Sequence, residues 1–488
     1  MKHNILFISS EAYPLIKTGG LADVAGSLPI ALAHNQQHVR LLLPAYQQIL
    51  QQLDSRKIIA TTRHYDLDIE LLETRLPGSE IPCYLVHCPS LFDRPGNPYL
   101  DEDGNPWPDN ALRFALFAQV AVDIALNRIG LDWLPDLVHC NDWQTALVPA
   151  LLDTFLQRPA TLFTIHNLAY QGLFDARVFF DLGLPGGLWG MYGLEFHGGF
   201  SFIKGGLVYA DRINTVSPTY AKEIQQSEFG YGLDGLLQHR SDRLSGILNG
   251  IDTDVWNPAT DPNLAQHYDI DSLDQKTANK TALQQQLGLP VDASLPMIGM
   301  ISRLVEQKGL PVILAAMAAM LEQPLQLVIL GSGDKAYEQA LKTWAEQQPD
   351  KLRVMIGYDE KLSHQIEAAA DLYLMPSMFE PCGLNQLYSL RYGTLPIARN
   401  VGGLADSVID ATPKNIDNKT ANGFIVEADG ASALLSATQR ALAAFGDKPM
   451  WRQLQINAMM PDRSWHASAR QYIKLYDLAV SDNPHSIR

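Results

Sequence analysis

Cysteine is scarce in this chain: Cys83, Cys88, Cys140 and Cys382 are the four among 488 residues, and none stands at the paired short spacing of a zinc site. They read as thiols outside any disulfide, which suits a reducing compartment. Basic charge is also short. Lys and Arg number 37 against 53 Asp and Glu, for a formal net charge of −16, so no extended basic surface is available to neutralise nucleic-acid phosphates or an anionic membrane. Long apolar runs are missing too. The opening "MKHNILFISSEAYP" carries Lys2 and His3 before a short apolar stretch and returns to charge at Glu11, so neither a signal peptide nor a spanning helix is expected, and the cytoplasm is the expected location. Neither a Walker sequence nor the spaced glycines of nucleotide-dependent dehydrogenases occurs. No cofactor and no metal are expected.

What the chain does hold is apolar material for two large cores, at 47% hydrophobic residues. Strand-length apolar runs keep ending in loops that open helical patterns: 4–9, 38–44, 82–88, 136–140, 160–166 and 212–217, then 296–302, 325–331, 352–357, 371–376 and 395–400. This habit predicts an α/β protein of two Rossmann-like, doubly wound parallel-sheet domains with an interdomain cleft. Gly, Asn, Asp and Pro gather over 244–262 and periodicity lapses there. The expected domains are therefore 1–243 (acceptor and catalytic side) and 244–462 (nucleotide-sugar side). A C-terminal helix and tail, 463–488, is expected to pack back toward the first domain.

The pentapeptide Gly-Gly-Leu-Ala-Asp occurs twice, in "KTGGLADV" (17–24) and in "VGGLADSV" (401–408). Each copy follows a strand and leads into a helix, where consecutive glycines let backbone N–H groups approach an anion at the helix start. A Gly-rich turn needs no ligand, but the first copy also carries Lys17 beside Gly19 and Gly20. In the second half "SRLVEQKG" sets Arg303 and Lys308 at a strand's carboxyl edge, either as a solvated face or as a clamp for a diphosphate leaving group. "FEPCGLNQ" places Glu380 before a helix start. A carboxylate there either serves only the helix dipole, or bonds sugar hydroxyls or stabilises a cationic sugar ring while the amides of Gly383, Leu384 and Asn385 meet phosphate. In the first half Asp142, in "HCNDWQT", and His166 and Asn167, in "TIHNLAYQG", stand at strand ends where they would line a sugar site. The loop 96–110 offers Tyr99 and Trp107 amid Asp, Asn and Gly, a composition equally suited to carbohydrate and to a plain surface loop.

Seven stretches, "KTGGLADV", "NPYLDEDGNPWPDN", "FTIHNLAYQG", "YADRINTVSPTYAKEI", "LNGIDTDVWNP", "SRLVEQKG" and "FEPCGLNQLYSLRYGT", together resemble the ADP-glucose-type glycogen and starch synthases, retaining glycosyltransferases of the GT-B fold. The likeness spans Glu11 to about Trp465. It implies transfer of glucose from ADP-glucose to the non-reducing end of glycogen or another α-1,4-glucan, with ADP released. By the family pattern Lys17, Gly19 and Gly20 contact the donor and Arg303 and Lys308 hold its diphosphate. Glu380 with the backbone at Cys382, Gly383, Leu384 and Asn385 brackets glucose and phosphate. Asp142, His166 and Asn167 line the sugar, with His166, Arg303, Lys308 and Glu380 the catalytic set. Tyr358 packs near the adenine and Tyr99 meets the acceptor. The chain departs from the pattern at Asn141 and Gln144, where His is frequent. It also has Tyr388 eight residues after Glu380, where related glycosyltransferases carry a second Glu. A UDP-glucose donor is the nearer alternative, since no residue read here recognises the base. A catalytically idle glucan-binding regulator is disfavoured by the joint presence of Lys17, Arg303, Lys308 and Glu380. The lysine loop of a pyridoxal-phosphate phosphorylase is not found.

Overall fold

The first sheet is built from strands of two kinds. The computed structural model describes residues 1–53 and 56–485. Runs such as β6 (Leu137–Asn141) and β7 (Ala160–Ile165) are buried at every position, as central strands of a sheet covered on both faces must be. With β1 (Asn4–Ile8), β2 (His38–Pro44), β5 (Pro82–His87), β11 (Arg212–Thr215) and β12 (Leu244–Gly246) they pair in parallel. β3 (Lys57–His64) and β4 (Leu67–Arg75) join antiparallel at one edge, giving the order β12-β11-β7-β6-β1-β2-β5-β4-β3. This antiparallel edge adds two strands to those expected from the apolar runs. β3 and β4 alternate exposed and covered residues, so they lack the unbroken apolar runs that marked their neighbours. A small antiparallel sheet of β8 (Leu173–Asp175), β10 (Gly199–Ser201) and β9 (Glu195–Phe196) stands apart from it.

The second sheet is parallel throughout, from β13 (Met297–Ile301), β14 (Gln326–Gly331), β15 (Leu352–Ile356), β16 (Leu372–Met375), β17 (Leu395–Arg399) and β18 (Phe424–Val426). Its order β15-β14-β13-β16-β17-β18 is the 3-2-1-4-5-6 winding of a dinucleotide-binding sheet. Each sheet has a switch point where the winding reverses, β1/β6 in the first and β13/β16 in the second. Ligands of open α/β sheets bind outside the carboxyl ends of strands at such points.

The chain forms two compact units, Met1–Gly250 with the segment from Trp465 onward, and Ile251–Ser464. The expected limits at 243 and 462 lie a few residues short of these. The helix Trp465–Asp482 belongs to the first unit: Trp465, Ala469, Tyr472, Tyr476 and Ala479 recur at three- and four-residue spacing and are buried. The Tyr476 hydroxyl pairs with Nδ1 of buried His139 at 2.9 Å, and Asn214 donates to the Tyr472 hydroxyl at 3.1 Å. Among the described residues no helix is long and apolar enough to cross a membrane.

The start of the second unit is pinned by a charged stack. Trp256 lies between the His364 and Tyr388 rings, 3.9 Å from each centroid, so the residue at the departed Glu position packs here. His364 Nδ1 is 2.6 Å from Asp261 Oδ2, which also accepts from the Tyr392 hydroxyl at 2.6 Å. Burial alone would lower the His364 pKa, but Asp261, with Glu360, overrides it and raises it to about 9. A raised folded-state pKa contributes stability that is complete below the ordinary value near 6.5 and is lost as pH rises through about 9. His364→Gln is therefore expected to cost on the order of 3 kcal/mol more at pH 6 than at pH 10. Urea unfolding of both proteins at the two pH values checks it, and a pH-independent gap contradicts it.

Candidate active site

At the β1/β6 switch point a buried carboxylate organises the first Gly-Gly loop. Glu11 follows β1, and its Oε2 accepts from the backbone N–H of Thr18 at 2.5 Å and of Gly19 at 3.2 Å. Its Oε1 accepts from the Thr18 hydroxyl and the Tyr99 hydroxyl, each at 2.8 Å. Burial raises the Glu11 pKa against the lowering effect of these donors. The loop so held ends in the helix Gly20–His34, which has no side-chain cap. A Cβ built on Gly19 or Gly20 would meet nothing within 4 Å. The fold thus does not demand glycine at either position, whereas close approach of a ligand to the backbone does. Lys17 is exposed beside them, its Nζ 2.8 Å from Asp23.

Asp142 follows β6 with φ of 56°, a left-handed conformation costly for a non-glycine residue and frequent at functional sites. Its Oδ1 accepts from the amides of His166 at 2.7 Å and Asn167 at 3.4 Å, at the end of β7. Burial raises its pKa to about 7 against those bonds, with a further contribution from the charge of Glu11. Because the amide of Asn167 turns toward Asp142, the His166 carbonyl of the same trans peptide points the other way. Asn141 fixes the imidazole: its amide nitrogen donates to the Ile8 carbonyl at 2.9 Å, so its oxygen accepts from His166 Nε2 at 2.9 Å. The proton therefore sits on Nε2 and Nδ1 is left as an acceptor. Burial lowers the His166 pKa to about 3, keeping the ring neutral.

The β13/β16 switch point carries the second set. Lys308 Nζ is 2.5 Å from Glu380 Oε2, with the lysine side chain 16% exposed and the glutamate side chain 9%. Gln307 ties the same two loops together, donating to the Phe379 carbonyl at 3.2 Å and accepting at its own carbonyl from the Met378 N–H at 2.8 Å. Arg303 is exposed beside them and donates to the Gln307 side chain at 3.4 Å. Behind Glu380 stands the second Gly-Gly pair. A Cβ on Gly402 (φ 44°) would lie 2.0 Å from the Glu380 carbonyl, and one on Gly403 would lie 2.0 Å from the Cys382 carbonyl. The two copies of the pentapeptide are thus used oppositely. The first leaves room in front of it, and the second is packed shut to hold the Glu380 loop.

The remaining expected residues divide. Gly383 has φ of 70°, and neither its amide nor that of Leu384 donates to an acceptor among the described residues. The Asn385 side-chain nitrogen donates to the Ile301 carbonyl and the Tyr373 hydroxyl. The Cys382 thiol is buried. Tyr358, after β15, presents a ring 77% exposed whose hydroxyl bonds Glu360. Tyr99 has its hydroxyl turned inward on Glu11 and Ser10, and Trp107 is covered by the Arg94 guanidinium, 4.1 Å from the ring centroid. Glu11 and Gln307 were not singled out as site residues in the sequence, and Asn141 was singled out only as a departure from the family pattern. For Glu11 the signal was present, an acidic residue directly after the first strand. Among the described residues no group of three or more His, Cys, Asp or Glu is placed to hold a metal ion.

Two family models match the chain: "Starch synthase catalytic domain" over residues 4–239 and "Glycosyl transferases group 1" over 281–447. Glycogen synthase 1 of Methylococcus capsulatus is 54% identical over 477 residues, 98% of this chain and 97% of that protein. The glycogen synthase of Cellvibrio japonicus is 55% identical over 476 residues, 97% of this chain and 99% of its own. The solved catalytic domain of starch synthase IV from Arabidopsis thaliana, bound to ADP and acarbose, superposes with a TM-score of 0.86. It is 34% identical and covers 99% of this chain and 100% of its own.

Proposed function

Because the chain belongs to the bacterial glycogen synthase family and has its GT-B fold, we propose that it transfers glucose from ADP-glucose to the non-reducing end of an α-1,4-glucan. The anomeric configuration is retained and ADP is released. One observation carries the assignment of chemistry to residues: Lys308 and Glu380 are held 2.5 Å apart at a switch point, on loops locked by Gln307 and by the closed Gly402-Gly403 pair. An ammonium has three donors. One meets Glu380, which leaves Lys308 able to bond the departing phosphate together with the Arg303 fork and the amides of Gly383 and Leu384. Exposed Tyr358 takes the adenine, while Lys17 and the open backbone at Gly19 and Gly20 meet the donor.

On the first unit Asp142 positions the peptide between His166 and Asn167 so that the His166 carbonyl faces the sugar and stabilises an oxocarbenium-like C1. Neutral His166, with Nδ1 as acceptor, and Asn167 line the ring. The C1–O bond to phosphate breaks as the terminal 4-hydroxyl of the glucan attacks from the same face, and its proton passes to the leaving phosphate oxygen. Glu380 is a hydrogen-bonding positioner in this scheme, unlike the carboxylate nucleophile of retaining hydrolases. A cytoplasmic enzyme belongs to the same proposal, supported by four buried cysteines outside disulfides. Purified protein incubated with glycogen and either ADP-glucose or UDP-glucose is expected to release ADP and little UDP. Release of UDP alone would transfer the reading to the other donor.

A further inference from the structure

The loop that carries His166 and Asn167 does not end at the sugar site. Tyr170, four residues past His166, is 58% exposed, and Gln171 after it is buried and donates from Nε2 to the Tyr231 carbonyl at 3.1 Å. Gly172 (φ 61°) closes the loop on Trp143, where a Cβ would lie 2.4 Å from the indole. Tyr231 is itself 41% exposed and sits at φ 48°, an outlier conformation for a bulky aromatic. The chain is held there from two sides, by Gln171 and by Gly232, whose Cβ position is 3.1 Å from the Phe196 ring. Next to Phe196, His197 also adopts positive φ, 51°, and is exposed. The Tyr170 and Tyr231 phenols are close enough for one to oppose the ionisation of the other, after the larger effect of burial. Backbone strain of this kind persists only where the surroundings over-determine it, and the strained Tyr231 presents a second partly exposed aromatic ring.

We infer that Tyr170 and Tyr231 form a platform on which the acceptor α-glucan stacks as it runs away from the His166 loop, extending acceptor recognition past the terminal glucose. The inference rests on the proposed glucan synthase activity. The occupant follows from continuity: Tyr170 stands on the same short loop as His166 and Asn167, and Gln171, next to it on that loop, bonds the backbone carbonyl of Tyr231. Tyrosine suits this ligand because its apolar face packs on sugar C–H groups while its hydroxyl reaches the wet edge. It also supplies acceptor contacts that Tyr99, with its hydroxyl on Glu11, does not offer through that group.

Steady-state kinetics of Tyr170→Ala and Tyr231→Ala with maltoheptaose and maltotriose tests the platform, with Tyr→Phe at each site as the conservative control. Each Ala variant is expected to raise the maltoheptaose KM roughly five- to tenfold, with a smaller effect on maltotriose, an unmoved KM for ADP-glucose, and Phe variants near wild type. An unchanged maltoheptaose KM, or an equal rise in the KM for ADP-glucose, overturns the inference. So does a shift in sedimentation coefficient without a change in acceptor KM, which would make the surface a contact between copies of this chain. If the wild-type protein extends no glucan at all, the proposed activity fails, and the platform is then judged by calorimetry with maltoheptaose. Binding lost in the double Ala variant supports it, and binding retained overturns it.

Discussion

Lys308→Ala is expected to lower kcat by roughly 10²–10³, the usual consequence of removing one preorganised partner of charge that builds in the transition state. The reason for so large an effect is local. Lys308 is mostly covered and bonded to Glu380 at 2.5 Å, so its loss removes a donor to the leaving phosphate and also leaves a buried carboxylate unpaired, free to repel that phosphate. Arg303→Ala acts on the same diphosphate but from an exposed side chain bonded to Gln307 at 3.4 Å. Its loss in kcat is expected at the lower end of that range. Single-turnover rates with saturating glucan separate chemistry from binding. A defect confined to the acceptor KM in both variants would remove Lys308 and Arg303 from the leaving-group site.

The second large effect concerns the repeated pentapeptide. Gly403→Ala would place a methyl group 2.0 Å from the Cys382 carbonyl, and Gly402→Ala would place one 2.0 Å from the Glu380 carbonyl at a φ of 44°. Neither backbone oxygen can move without carrying the Glu380 loop with it, so each substitution is expected to destabilise the second unit by about 3 kcal/mol or more. The matching changes in the first copy, Gly19→Ala and Gly20→Ala, meet no protein atom within 4 Å. They should leave the unfolding free energy within about 0.5 kcal/mol of wild type while raising the KM for ADP-glucose. Urea titrations paired with donor kinetics check all four variants. Equal destabilisation by both copies would mean that the first Gly-Gly is also only a packed turn.

These opposite uses of one pentapeptide show where the sequence was readable. The parallel strands were visible because strands such as β6 and β7 are buried along their whole length and must be apolar throughout. β3 and β4 were not, because an edge pair with one wet face alternates and carries Lys, Arg, Asp and Glu. Lys308 and Glu380 were legible as charged residues just after strands. That they pair with each other was not, since contact between positions 72 apart depends on which strands neighbour in the sheet. Glu11 was overlooked because its partners are backbone amides and a distant phenol, and an amide leaves no mark in the residue code. The inward bond of the Tyr99 hydroxyl was hidden for the same reason, since the carboxylate that accepts it stands 88 positions away.

In the proposed reaction glucose passes from ADP-glucose to the glucan with retention and without a covalent enzyme intermediate, Glu380 serving as a positioner. This mechanism is tested most directly by incubating wild-type protein and Glu380→Gln with ADP-glucose and maltoheptaose. The new linkage is then followed by proton NMR while rapidly quenched enzyme is digested for mass spectrometry. ADP release matched by α-1,4-linked product is expected in both proteins, slower in the variant, with no glucosylated peptide. A glucosyl adduct on the peptide containing Glu380, or β-linked product from the variant, would contradict it.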